Sequence, residues 1–185
     1  MAHLLQVARE IFVRQGYRAT TMDEIAAAAG LTKRTVYAWH RDKAALFRAC
    51  VLAGAARFPT LIIADGADIG AALRHYVEEL HLELAAEDSF GMGVLFLREA
   101  LEFPELVEPV QRGFFEFLVD PLAERLREHG LEDIGSNQRT LLFAAMALAP
   151  IHNALLVGLR LPSAAEASAH ARLCVDVFLN GSRPA

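Results

Sequence analysis

Apolar residues recur at helical spacing along almost the whole chain. Leu4, Ala8, Ile11 and Phe12 share one stripe of a first helix, which Gly16 is placed to stop. The same period predicts a second helix over residues 22–29, a third over 33–40 and a fourth over 42–58, ended by Pro59. After a loop near residues 60–70, further helices are predicted over 71–86 and 90–102. Phe103-Pro104 then breaks the pattern, and a long helix follows to about Gly130. Two more helices are predicted over 137–161 and 164–179, the last opened by Pro162-Ser163. Neither strand alternation nor an internal repeat is found, so the fold class read from the pattern is all-α.

The joints between the first four helices carry local signals. Thr21 and Glu24 have the spacing of a capping box, in which the hydroxyl accepts from the Glu24 amide and the carboxylate reaches back. Gly30 ends the alanine-rich second helix, Leu31 plugs the core, Thr32 caps the third helix and Asp42 caps the fourth. Two tight turns, with basic and aromatic residues crowded on the third helix, are the sequence pattern of a helix-turn-helix. Such a unit presents its last helix to the major groove of DNA.

The spaced residues Gly16-Tyr17, Thr20-Thr21, Ile25-Ala26, Ala29-Gly30-Leu31-Thr32, Lys33-Arg34, Thr35-Val36-Tyr37 and Lys43 with Leu46 resemble the DNA-binding domain of the TetR family of transcriptional regulators. The resemblance covers about the first quarter of the chain. It implies an N-terminal three-helix helix-turn-helix domain, residues 1–45, and a C-terminal helical ligand-binding and dimerisation domain, residues 46–185. Residues 97–118 loosely resemble the AefR-like type of C-terminal domain. Three features depart from the family pattern. Ala38, Trp39 and His40 stand where an aromatic, a histidine and a second aromatic are usual. Ala44 and Ala45 lack the glutamate often found after the lysine. Met1 falls near the expected start of the first helix, where members often carry a basic arm.

Charge changes the picture in the same direction. Residues 1–50 hold eight basic side chains against four acidic ones, whereas the remainder holds ten against nineteen, giving the net −5 of the chain. The N-terminal end is therefore the part suited to a phosphate backbone. Lys33, Arg34 and Thr35, with the capping Thr32, sit at the start of the third helix, where base edges are read. Arg34 is the first candidate for guanine, because its guanidinium fork can bond O6 and N7 together. The resemblance assigns Thr21, Tyr37 and Lys43 to phosphates. Thr21 is also an N-cap, and Tyr37 also fits a core position. Trp39 can donate its indole N–H to phosphate or pack on the first helix, and His40 is expected to face inward.

Beyond residue 59 the chemistry is sparse. The high apolar content, 54%, predicts extensive burial and a subunit interface. The helix over residues 137–161 is apolar all round, which suits a buried dimer helix. Pro150, His152 and Asn153 at its centre count against a membrane span. Leu141, Leu148, Leu155, Leu159, Cys174 and Phe178 are the candidate residues of a homodimer interface made, by the resemblance, from the last two helices. Tyr76, Met92, Phe96, Phe103, Phe114, Phe117, Phe143 and Met146 are candidates for lining an effector pocket, with Arg98, Arg112, His152 or Asn153 as polar anchors. Aromatic and methionine residues at helical spacing usually just fill a core; as a pocket lining they suit a small apolar or aromatic effector. Cys50 and Cys174 read as reduced core thiols of a cytoplasmic protein, and no secretory signal is found. Glu78 and His81 form a single Glu-x-x-His, whereas a di-iron bundle needs two copies. No glycine-rich phosphate loop, zinc spacing or nucleophile elbow is present. No cofactor and no metal is therefore expected. The expected partners are a double-stranded DNA operator, an effector and a second copy of the chain. The departures from the family pattern leave open a helical small-molecule binder or enzyme with a non-functional helix-turn-helix.

Overall fold

The computed structural model describes residues 1–181 apart from 65 and 133, and the described residues contain no strand. Ten α-helices follow one another: α1 (Ala2–Ala19), α2 (Met22–Ala28), α3 (Lys33–Trp39), α4 (Lys43–Ala55), α5 (Ile69–Ala85), α6 (Glu87–Glu99), α7 (Val107–Phe114), α8 (Asp120–Glu128), α9 (Gln138–Val157) and α10 (Ala164–Asn180). They form two compact units. One comprises Met1–Arg57 and Ala86–Phe114, the other Phe58–Ala85 and Phe115–Ala185.

In the first unit, α1 packs against α4 and α6, α2 against α3, and α4 against α7. The apolar stripe read from the sequence fills its core. Leu4, Ala8, Ile11 and Phe12 are buried together with Ile25, Val36, Leu46 and Phe47. An aromatic cluster closes it: Phe12 meets Phe47 edge-on at 5.5 Å, and Tyr17 lies 5.5 Å from Phe47 and 5.2 Å from Phe103. Gly91 lets α6 approach α1, since a Cβ there would come within 2.6 Å of Val13. Leu46 and Phe47 are buried in this same core, so by packing α4 belongs with the three-helix head.

Gly16 interrupts α1 rather than ending it. It adopts φ 88° and ψ 164°, and the helix resumes to Ala19. Its carbonyl accepts from the Thr20 hydroxyl at 2.7 Å, which holds the broken turn. The helix expected to run unbroken from Pro104 to Gly130 is instead four pieces: a 3-10 turn (Pro104–Leu106), α7, a π-helical segment (Phe115–Val119) and α8. Proline explains the division. Pro104 starts the 3-10 turn, and Pro121 has no N–H for the carbonyl of Phe117, so the regular α ladder cannot pass through it. α6 begins at Glu87, ahead of its apolar run, because Glu87 and Asp88 suit the positive end of a helix.

In the second unit α5 packs on α9 and α10, and α8 packs beside them. Its core is formed by Leu73, Val77, Leu80, Leu118, Leu122, Phe143, Ala147, Ile151, Ala171 and Val175. α9 keeps its course through Pro150 and stops at Gly158, a left-handed C-terminal cap with φ 69°. By length and composition α9 is apolar enough to cross a membrane, with 39% of its most apolar window buried inside the protein. α10 opens with a full capping box between Ser163 and Glu166.

Candidate nucleic-acid interface

The turn between α2 and α3 is held by its own short sequence. The Thr21 hydroxyl accepts from the Glu24 amide at 3.2 Å. The Glu24 carboxylate does not return the bond as expected. It takes the Gln15 amide at 2.6 Å and lies 4.0 Å from Arg14, tying α2 to α1. Gly30 supplies φ 66° in the turn, and the Leu31 amide closes on the Ala26 carbonyl at 2.9 Å. Thr32 then caps α3, accepting from the Thr35 amide at 3.1 Å. Lys33 reaches back to Asp23, an ion pair that locks α3 to the start of α2.

One side chain orients α3. Val36 is fully buried, while Arg34, Tyr37, Ala38 and Trp39 are exposed. Tyr37 is 48% and Trp39 42% exposed. Neither ring is a core residue, so the core reading of Tyr37 does not describe this arrangement. Among the described residues, Arg34 makes no ion pair or hydrogen bond. His40 is half-buried as expected; its Nε2 is without a hydrogen-bond partner, and burial lowers its pKa.

Lys43 does something the sequence did not suggest. Its ammonium donates to the carbonyls of Tyr17 at 2.6 Å, Thr20 at 2.9 Å and Arg18 at 3.3 Å, so all three N–H bonds are spent on the end of α1. It also lies 4.4 Å above the Tyr17 ring. The same end is gripped from α6 and the turn beyond it. The Arg18 amide donates to Glu99 at 3.0 Å, the Tyr17 hydroxyl donates to Glu105 at 3.4 Å, and Arg18 pairs with Glu102. Burial first, and then the Glu105 carboxylate, raise the pKa of Tyr17.

These contacts reshape the charge pattern. Arg9 pairs with Asp88, Arg41 with Asp42 and Arg48 with Glu108. Over the first unit the count is eleven basic to ten acidic residues, so folding nearly cancels the excess seen in residues 1–50. The free positive charge on α3 is concentrated at Arg34.

The candidate pocket residues are divided between the two units. Met92, Phe96, Arg98, Phe103 and Phe114 belong to the first unit, together with Arg112, and Phe103 packs on Tyr17 in its aromatic cluster. Tyr76, Phe117, Phe143, Met146 and His152 belong to the second. There Tyr76 and Phe143 are buried, Phe143 meets Phe178 at 4.7 Å, and His152 is exposed. An open hollow of about 490 Å³ in the second unit is lined instead by Ala149, Pro150, Asn153, Leu159, Arg160, Pro162, Glu166 and His170. Of these, Asn153 was a candidate for the pocket and Leu159 for the interface. Of the interface candidates, Leu141 and Leu159 are exposed and Leu155 and Phe178 half-buried, whereas Leu148 and Cys174 are core residues. The exposed apolar surface of these helices is carried by Leu142, Leu156, Val157 and Leu173, which the sequence reading passed over. His81 is buried with Nε2 on the Ala147 carbonyl. No group of three or more metal-ligating side chains occurs among the described residues.

The fold and the exposed α3 define a helix-turn-helix protein with a separate helical unit. Residues 4–50 match the model for bacterial regulatory proteins of the tetR family. The HTH-type transcriptional regulator AcrR of Shigella flexneri is 48% identical over 46 residues, 24% of this chain. That match spans only 21% of AcrR, about a fifth of its length. A TetR-family transcriptional regulator of Mesorhizobium loti MAFF303099 is 28% identical across 96% of this chain and 94% of its own, with a TM-score of 0.80. The flavonoid-responsive regulator FrrA shares the fold at 22% identity, covering 99% of this chain and 96% of its own, TM-score 0.74. Residues 4–50 therefore match the DNA-binding part of the tetR family of bacterial regulatory proteins, and the chain as a whole shares the fold of solved TetR-family regulators.

Proposed function

We propose that this chain is a ligand-released repressor that binds a pseudo-palindromic operator as a homodimer in the bacterial cytoplasm, associated with the nucleoid when bound to DNA. The observation that carries the reading is α3 itself: capped by Thr32, anchored by Val36, and presenting an unpaired Arg34 beside exposed Tyr37 and Trp39. α3 enters the major groove, with Arg34 on guanine and Lys33 and Thr35 beside it. Thr21, Tyr37 and Trp39 flank it toward the phosphates. Lys43 supports the head from behind through the end of α1. The two heads of a dimer meet half-sites about 34–36 Å apart or a multiple of that distance.

The exposed apolar residues of α9 and α10 supply the dimer contact, and the second unit takes a small apolar or aromatic effector. The effector releases DNA by binding the DNA-incompatible state more tightly, a coupling of about 1–3 kcal/mol. The domain roles divide near residue 45, with reading of DNA before it and regulation after it.

The test is selection of random duplex DNA by the full-length protein, read by sequencing at low and moderate salt. An enriched inverted repeat supports the reading, and Arg34→Ala is expected to relax preference at one base pair per half-site. Weak, sequence-blind binding that vanishes with salt would overturn it.

A further inference from the structure

Successive residues of a helix point about 100° apart. With Val36 turned fully into the core, the two positions most nearly opposite it on α3 are Arg34 and Ala38, one turn apart. Both are exposed. The centre of the presented face is therefore a long guanidinium followed by a single methyl, with Tyr37 and Trp39 on the two sides of that methyl. Ala38 offers no hydrogen bond and no charge, and its short side chain brings the helix backbone close to whatever it meets. In the major groove the one apolar group on a base edge is the 5-methyl of thymine.

We infer that Ala38 is a specificity-determining position whose methyl packs on a thymine 5-methyl, beside the guanine that Arg34 reads. The assignment rests on the reading of α3 as the recognition helix. Four residues of helix advance about 6 Å, and stacked bases about 3.4 Å, so the thymine lies within about two base-pair steps of that guanine. The site thus selects thymine over cytosine by an apolar contact and adds no phosphate-like salt dependence.

The experiment uses the duplex that the full-length protein enriches from random DNA. Each thymine is replaced singly by deoxyuridine, which keeps the base pair and removes only the methyl. One replacement per half-site, within two steps of the Arg34-dependent guanine, is expected to weaken binding about fourfold, the effect of burying one carbon. In Ala38→Gly and in Ala38→Ser that same replacement is expected to lose most of its effect. A duplex indifferent to every deoxyuridine near that guanine overturns the assignment, as does a methyl effect that survives intact in both variants. Those results leave the operator and the role of Arg34 standing. Failure to enrich any duplex removes the DNA-binding reading itself, and Ala38 with it.

Discussion

His170 Nε2 donates a 2.8 Å hydrogen bond to the carbonyl of Met146, the acceptor that Pro150, four residues further on, has no N–H to fill. His81 Nε2 donates to the next carbonyl of the helix, that of Ala147, at 2.6 Å, and the two imidazoles stack 5.7 Å apart. A side chain from α10 thus repairs the ladder of α9 from outside it, and one from α5 adds a bond beside it. His170→Phe should destabilise the second unit by about 1–2 kcal/mol, because it strands that carbonyl. In a Pro150→Ala background the restored N–H takes over and the cost should fall below about 1 kcal/mol. Urea unfolding of the four variants at one protein concentration measures the difference; equal costs in both backgrounds would remove the coupling.

His81 also sets an acid limit. Burial holds its pKa below the ordinary imidazole value, chiefly because a charge there would be desolvated, although the Ala147 bond works the other way. Its neutral form is therefore favoured in the folded chain, and the unfolded chain takes up the proton first as pH falls through about 6.5. Stability from this group is complete above that pH and declines below it. His81→Gln keeps an N–H for Ala147 and should flatten, though not abolish, the fall in melting temperature between about pH 7 and 5. His40 retains its own depressed value. A lower, separate limit belongs to Glu166, which hydrogen bonds from Arg160 and then Ser163 hold at about 2.

The end of α1 gives a third expectation. Gly16→Ala forces a Cβ into a left-handed conformation and against the Glu99 carboxylate, with Arg98 Nη2 only 2.8 Å away. A loss of about 1–3 kcal/mol is expected. Lys43→Ala removes the donor from three carbonyls at the same end. Both variants should weaken DNA binding evenly across sequences while leaving its salt slope unchanged. A slope lower by about one in Lys43→Ala would instead mark the ammonium as a phosphate contact.

Asp23 neutralises Lys33 beside the presented face. Asp23→Asn should therefore strengthen binding to any duplex and steepen the salt slope by about one. Unchanged binding in a salt titration would mean that Lys33 plays no part at the phosphates.

The sequence made the local devices readable and the tertiary ones not. Thr21, Thr32, Asp42 and Ser163 all cap as their neighbours three residues on suggest, because donor and acceptor lie within one turn. The Glu24 half of its box was lost to Gln15, nine residues back and on another helix. Lys43 matched a family position by type, yet its carbonyl partners lie more than twenty residues away in the chain. α9 posed a different difficulty. A helix apolar on every side does not disclose which leucines face inward, so Leu148 fell to the core and Leu142 and Leu156 to the surface. The break-up of the helix after Pro104 was signalled by Pro121, whose effect on the ladder outweighed the continuous apolar pattern.

Trp39 is the one tryptophan of the chain, and it stands on α3 with 42% of its surface exposed. Intrinsic indole emission therefore comes from a single spot beside the reading face, and no label is needed to watch it. Arrival of a duplex changes that light directly. Titration of the proposed effector against the same signal, with and without duplex, would then report whether its binding reaches the head.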